Sequence, residues 1–350
     1  MKRILKQSVG IDVAQKELVV QLGRLYEDLS TELYANKCFS NTAKGFISMV
    51  QWVLRLTEST VSIRYVMEAT GVYHESLACY LAEHGYSVSI ILPNKISNYF
   101  RTLSIKTITD KTASEAITLF GLERKLEDWK RPKPVFQYLR QLTRERDQLV
   151  QERTMIKNQL HAEEAQSFLN RSTLTRIKQR INLLNKQEEM IKEEIETLIK
   201  NEKELKGELA LLRTIPGIGT LTAATILAET NGFELVRSKR QLASYAGFDV
   251  QEKQSGTSVK GKTRISKKGN KNLRKAMHFP ALTAIRHDER FKAIFARLVA
   301  KHGIKMKAAV AVQRKLLELS YTILKSGQSY DKNYLQKELS AQNNKQQLVV

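Results

Sequence analysis

The chain has 350 residues, 42% hydrophobic and 27% charged, ordinary values for a folded protein of about two domains. Its 58 Lys and Arg against 36 Asp and Glu leave a net charge of +22, which suits a polyanionic partner, nucleic acid first among them. Two cysteines, Cys38 and Cys79, exclude a disulfide framework, and no apolar run approaches the ~18 residues of a membrane span.

In chain order, residues 1–7 carry charge with no apolar stretch behind them, so no secretory leader is expected and the chain is expected to be cytoplasmic. Residues 8–14 and 18–22 read as short β-rich runs, and 32–39 as a weaker third. A helical pattern covers 43–56. Residues 62–68 alternate as a strand stopped by Ala69-Thr70-Gly71, and 73–85 form a helix ended by Gly85. A strand at 87–92 is closed by Pro93, and another helix begins near Asp110. Three strands, then helix, strand, helix, strand, helix is the element order of a ribonuclease-H-like sheet, an order that other α/β domains approach.

Arg131-Pro132-Lys133-Pro134 is a stiff, basic linker that marks the first boundary. Beyond it Leu139, Leu142, Leu149, Ile156 and Leu160 fall on one three-and-four ladder, with Arg146 and Arg153 on its polar rungs. A second ladder runs Ile177, Ile181, Leu184, Glu188, Ile191, Ile195, Leu198, Glu202, Leu205, Leu209, Leu212. Its length argues a long coiled coil, broken from the first ladder near Ser172-Thr173. The two helices pair either as an antiparallel hairpin or with a second chain. The expected organisation is an α/β domain over 1–130, a coiled-coil connector over 136–212, a helical domain over 213–327 and a fraying tail over 328–350.

Asp12 sits in the apolar strand Val9-Gly10-Ile11-Asp12-Val13-Ala14, where Asp is rare and a buried carboxylate needs a partner, a proton or a cation. Glu68 ends the strand expected beside it, and Asp110 opens a later helix. Three converging acids suit a hard cation, Mg²⁺ first, and a pair of such ions suits phosphodiester chemistry. The bland reading makes Asp12 a turn residue, Glu68 a solvated strand end and Asp110 a helix N-cap.

Further on, Ile215-Pro216-Gly217-Ile218-Gly219 lies between helical segments in the manner of a helix-hairpin-helix turn. There Gly217 and Gly219 would let the backbone approach a phosphate, unless the turn is a plain packing corner. Residues 251–275 hold nine Lys or Arg and one acid, a phosphate-binding or simply solvated basic loop. Ser255, followed by Gly256, has room beside its hydroxyl for a bulky phosphate. No Ser/His/Asp arrangement accompanies it, so its activation would come from a cationic, metal-assisted setting. The six histidines show no zinc-ligand spacing.

Together, Gly10-Ile11-Asp12-Val13, Met67-Glu68-Ala69-Thr70-Gly71, Thr109-Asp110, Ile215-Pro216-Gly217-Ile218-Gly219, Tyr245-Ala246-Gly247 and residues 254–261 occur in the order found in one family. From about residue 8 to 327 the chain resembles the insertion-sequence one-ten transposases, relatives of the Piv DNA invertase. The resemblance implies a RuvC-like nuclease domain with an Asp-Glu-Asp-Asp set, a coiled-coil connector and a C-terminal transposase domain with a nucleophilic serine. By matching positions Asp12, Glu68 and Asp110 are the first three acids and bind Mg²⁺, two ions in the full set. Ser255 is then the serine that joins covalently to DNA. Gly217, Gly219, Lys260, Lys262, Arg264, Lys267, Lys268, Lys271 and Arg274 are the expected nucleic-acid contacts. The resemblance also implies double-stranded DNA and a structured bridge RNA as partners, and a homo-oligomer whose subunits combine acids and serine.

One position departs from that pattern. The fourth acid is expected three residues after Asp110, where this chain has Ala113. Glu115 lies roughly 140° around an ideal helix from Asp110, and Ser114 is better aimed to hold a metal-bound water. The alternatives are a metal-dependent junction resolvase that uses water, and a catalytically impaired nucleic-acid-binding protein.

Overall fold

The computed structural model describes residues 2–333 apart from 70, 104–106, 108, 253, 256–258 and 262; of 254, 255, 259 and 260 it describes the backbone. The chain divides into two units, Met1–Arg131 and Pro132–Val350. In the first, Ile4–Val13 (β1), Glu17–Tyr26 (β2) and Thr31–Ser40 (β3) form an antiparallel meander. Helix Ala43–Leu56 (α1) carries the chain across so that Ile63–Glu68 (β4) returns parallel to β1, in register Ile11↔Met67. Helix Glu75–Glu83 (α2) and strand Ser87–Ile91 (β5) repeat the step, β5 lying parallel to β4. The resulting order, β3-β2-β1-β4-β5, is that of a ribonuclease-H-like sheet.

Alternation along β1 divides its side chains between two layers. Val9, Ile11 and Val13 join Phe46, Met49 and Val53 of α1 and Leu77 and Leu81 of α2 in one core. On the opposite face lie Pro93–Phe100 (α3) and Asp110–Glu123 (α4), where Val66, Ile91, Ile96 and Ile117 cluster.

Helix α3 was not expected. Pro93, read as the end of a strand, occupies its first turn, where a fixed φ and a missing N–H cost nothing. Strand β1 also starts earlier than expected, because the exposed Leu5 and Lys6 hide the alternation that begins at Ile4.

In the second unit Pro134–Glu164 (α5) and Arg171–Asn201 (α6) pair as an antiparallel hairpin. Contacts run in opposite senses along them: Arg146 with Glu188, Lys178 with Glu164. The polar rungs of the two ladders therefore meet within one chain. Glu188, 3% exposed, accepts from Arg146 Nε and Nη2 at 3.0 and 2.8 Å and from Arg153. The second ladder is not one helix. Glu202 is extended (φ −106°, ψ 99°) and separates α6 from Lys203–Arg213 (α7). Its last apolar rungs, Leu205, Leu209 and Leu212, belong to the helical core beyond.

That core is built from Thr220–Thr230 (α8), Lys239–Tyr245 (α9) and, after the basic loop, Lys271–Ala276 (α10), His278–His287 (α11), Glu289–His302 (α12) and Lys305–Ser326 (α13). Within the loop, Val250–Gln251 (β6) pairs with Arg264–Ile265 (β9), and Gln254–Ser255 (β7) with Val259–Lys260 (β8). The tail expected to fray from 328 is held as far as Tyr330, whose hydroxyl donates to Asp288 Oδ2 at 3.0 Å and whose N–H donates to Thr214 Oγ1 at 2.9 Å. Residues 334–350 lie outside the described residues. Among the described residues no helix is long and apolar enough to cross a membrane.

Candidate active site

Ser8, Gly10 and Asp12 share one face of β1, and the register puts Val66 and Glu68 of β4 on the same face. Helix α4 crosses that face at close range. A methyl group on Gly121 would overlap the Ser8 hydroxyl, and one on Gly10 would overlap the Thr118 hydroxyl and the Ser114 carbonyl. The Gly10 N–H donates to Thr118 Oγ1 at 3.1 Å, and that hydroxyl donates in turn to Ser114 O at 2.7 Å. Gly121 matches Ser8, Ser114 and Thr118 match Gly10, and the next step along both elements brings Asp110 to Asp12.

Electrostatics show the meeting. Asp12 is half-buried, and burial, then Asp110, then Glu68, push its carboxyl up to about 6. A hydrogen bond from the Val13 backbone acts in the opposite direction. The bland readings of two acids fall here. Asp12 lies inside β1 rather than in a turn. Asp110 is not the cap of α4, because Thr109 is: its Oγ1 accepts from Thr112 N at 3.2 Å while Thr112 Oγ1 accepts from Thr109 N at 2.8 Å. Glu68 closes β4 half-buried.

Among the described residues no three His, Cys, Asp or Glu side chains stand at metal-holding spacing. The three acids thus meet electrostatically but are wider than a closed ligand set. Their chemistry fits a hard divalent cation, which would offset both the burial of Asp12 and the repulsion from Asp110 and Glu68.

The expected role of Ser114 fails on packing. Its side chain is fully buried and donates to Lys111 O at 2.7 Å, with Asn36 Nδ2 3.4 Å away on β3. It is committed to the interface between helix and sheet. Helix α4 is continuous from Asp110 to Glu123, so no irregularity alters the phase of Glu115, and Ala113 offers no ligand.

In the second unit the two glycines separate. Gly217 (φ +86°) packs so closely on Pro280 that a methyl group there would overlap the Pro280 carbonyl. Gly219 is exposed, has nothing near its Cβ direction and precedes α8 as its N-cap. Ser255 pairs with Val259 across the β7–β8 hairpin. Arg264, Lys267, Lys268 and Lys271 are exposed. Arg274 is half-buried and donates to Ala246 O at 2.7 Å, a tie within the fold. Lys262 and the turn 256–258 lie outside the described residues, and of Lys260 the backbone alone is described. Sequence reasoning misses Glu229, the one charge in α8, which is 1% exposed.

Residues 209–296 match a model described as Transposase IS116/IS110/IS902 family, and residues 9–168 match the IS110 DEDD model described as Transposase. The pilin gene-inverting proteins of Moraxella lacunata and Moraxella bovis are each 28% identical over 328 residues, covering 93% of this chain and 98% of each relative. An uncharacterized 43.6 kDa protein of insertion element IS110 from Streptomyces coelicolor is 28% identical over 121 residues, 35% of this chain and 30% of that protein. Thermus thermophilus RuvC in complex with a Holliday junction substrate aligns with a TM-score of 0.27 and 10% identity, over 35% of this chain and 99% of its own. A score that low decides nothing, and the N-terminal fold rests on strand order and register. Matched in both units by models of transposases and along nearly its whole length by the pilin gene-inverting proteins, the chain belongs to the IS110 family of transposases.

Proposed function

We propose that the protein cuts and rejoins DNA strands through a covalent phosphoserine intermediate, using Asp12, Glu68 and Asp110 as cation ligands and Ser255 as nucleophile. The observation that carries this reading is the half-buried Asp12, whose carboxyl is raised by burial, then by Asp110 and then by Glu68, so that three acids gather at one end of the sheet. Asp12 and Glu68 project from rigid strands, and Asp110 from the first turn of a capped helix. Bound there, Mg²⁺ would supply charge neutralisation at the phosphate oxygens.

Ser255 Oγ attacks phosphorus, the bond from phosphorus to one strand oxygen breaks, and that oxygen leaves protonated as a free hydroxyl. The phosphodiester energy is kept in the serine link, so a second strand end can reverse the step without an external energy source. Exposed Lys267, Lys268, Lys271 and Arg264, with the open backbone at Gly219, hold strand phosphates without reading sequence. A structured bridge RNA selects the DNA, and more than one copy of the chain assembles on it. Because the Arg146, Arg153 and Glu188 rungs are satisfied inside one hairpin, copies would meet through its outer surfaces.

The test is a labelled duplex carrying an element end, incubated with Mg²⁺ and bridge RNA and run on a denaturing gel. Wild type forms a protein–DNA adduct, Ser255→Ala forms none, and Asp12→Asn binds nucleic acid without cutting it. Cutting by Ser255→Ala at the wild-type rate would establish water as the nucleophile instead.

A further inference from the structure

Glu229 is a buried carboxylate with every oxygen position in use. Arg144 of α5 grips it with two parallel bonds, Nε to Oε1 at 2.7 Å and Nη2 to Oε2 at 2.8 Å. Asn270 Nδ2 donates to Oε2 at 2.7 Å and Asn272 Nδ2 to Oε1 at 3.1 Å. The Tyr245 hydroxyl donates to the backbone carbonyl of Glu229 at 2.8 Å. Burial would raise this acid, but Arg144, Asn270 and Asn272 outweigh it and hold it below the ordinary value. A carboxylate so deep is retained as an anion only because four donors converge on it.

Two of those donors, Asn270 and Asn272, stand at the exit of the chain that links α9 to α10, and Tyr245 on the entry side bonds the Glu229 main chain. Tyr245 is the last residue of α9, Asn270 caps α10 and Asn272 lies in its first turn. The two ends are also tied directly: Asn270 N donates to Tyr245 O at 2.8 Å, Lys267 N to Gly247 O at 3.1 Å, and Ser266 N to Asp249 O at 2.8 Å. Asn270 then caps α10 with its other atom, Oδ1 accepting from Leu273 N at 2.9 Å. The β6–β9 pairing continues from this root, and the β7–β8 hairpin that carries Ser255 extends from it.

We propose that Glu229 is a positioning residue: its carboxylate ties Asn270 and Asn272 on the exit side to Arg144 of α5, beside the Tyr245 contact to its main chain, and so sets where the Ser255 hairpin leaves the helical core. The consequence for strand transfer rests on the nucleophilic role of Ser255, but the positioning itself does not. A local loss of order at the loop root misplaces a nucleophile that must arrive in line with a scissile bond, while exposed phosphate contacts tolerate it.

The experiment pairs adduct kinetics with amide hydrogen exchange on the full chain. Glu229→Gln keeps the shape but faces Asn270 and Asn272 with an amide, so adduct formation falls roughly ten- to hundredfold. DNA affinity stays within about threefold, since no phosphate contact is touched. Exchange accelerates across 245–275 and is unchanged in the α5–α6 hairpin. The double variant Glu229→Gln with Asn270→Asp lets the new amide donate to the carboxylate introduced at position 270 and keeps an acid to cap α10, but leaves Arg144 Nη2 without its acceptor, so it recovers part of the exchange protection and part of the rate.

Should Glu229→Gln unfold the second unit, Asn272→Ala removes one donor at its longest bond and gives a milder version of the same local effect. Wild-type exchange in both single variants overturns the proposal, and so does a failure of the double variant to recover. If wild type itself forms no adduct, the nucleophile reading fails while the exchange arm still decides the role of Glu229.

Discussion

Gly10 of β1 and Thr118 of α4 are joined by a hydrogen bond of 3.1 Å from the Gly10 N–H to the Thr118 hydroxyl, at a separation that leaves no room for a methyl group on Gly10. This approach sets the height of α4 over the sheet, and so the distance from Asp110 to Asp12. Gly10→Ala is expected to cost about 1–3 kcal/mol through overpacking. It also lifts Asp110 from the cluster, so the Asp12 carboxyl titrates closer to the ordinary value. Denaturant titration and NMR titration of a labelled aspartate read the two effects; an unchanged Asp12 titration would show that α4 does not depend on this contact.

Asp12 titrates at about 6 in the fold against 3.8 ordinarily, so the folded state holds a proton that the unfolded chain has released. Stability of the metal-free protein therefore declines as pH rises through this interval and stays lower above it. Asp12→Asn relieves that cost, so its melting temperature without metal at pH 8 exceeds that of wild type, by an amount corresponding to at most ~3 kcal/mol. Mg²⁺ should raise the melting temperature of wild type at pH 8, far less at pH 5 where Asp12 is protonated, and not at all in Asp12→Asn. Calorimetric scans at the two pH values check all three statements.

Glu188 gives the opposite sign. Burial alone would raise it, but Arg146 and Arg153 outweigh burial and lower it from 4.5. Its stabilising contribution is thus complete above the ordinary glutamate range and is lost as pH falls through the lower folded value. Glu188→Ala strands two guanidinium groups and is expected to cost about 3–5 kcal/mol at neutral pH. Replacing Glu188, Arg146 and Arg153 together by leucine is expected to leave stability equal or higher, as buried ion pairs exchanged for packed hydrophobes do. Denaturation followed by circular dichroism separates the two variants; equal losses in both would refute the pairing.

Ala113 lies one turn from Asp110 on an uninterrupted helix. Ala113→Asp is expected to add a carboxylate beside the existing three and to increase bound Mn²⁺ from about one ion per chain to about two. Spectroscopic titration of free Mn²⁺ measures the ratio, and an unchanged ratio would mean that position 113 does not reach the cluster.

Part of the candidate site is legible in the sequence. A charge inside an apolar strand must be explained, and Asp12 and Glu68 stand out in linear order for that reason. The ladders with arginine rungs on one and glutamate rungs on the other likewise announce a pairing that β1 or α4 could not. Ser114 misled because helical phase gives a direction but not what lies there, and Asn36 arrives from a strand nearly eighty residues earlier. Gly217 against Pro280 and Arg274 on the Ala246 carbonyl take packing contacts that the sequence does not specify, because glycine and arginine suit phosphate contact and tight packing alike.

The amino-acid order thus established the sheet-forming alternation, the acids that belong to it, the heptad rungs and the basic loop, because each is a local pattern of burial or charge. It left open whether the ladders close within one chain, where the second ladder bends at Glu202, and which donors satisfy Glu229. Those outcomes depend on contacts between residues dozens to more than a hundred positions apart, such as Arg144 with Glu229 or Gly10 with Thr118. Packing selects among locally equivalent arrangements by the groups it must bury, and that choice has no signature in any short stretch of sequence.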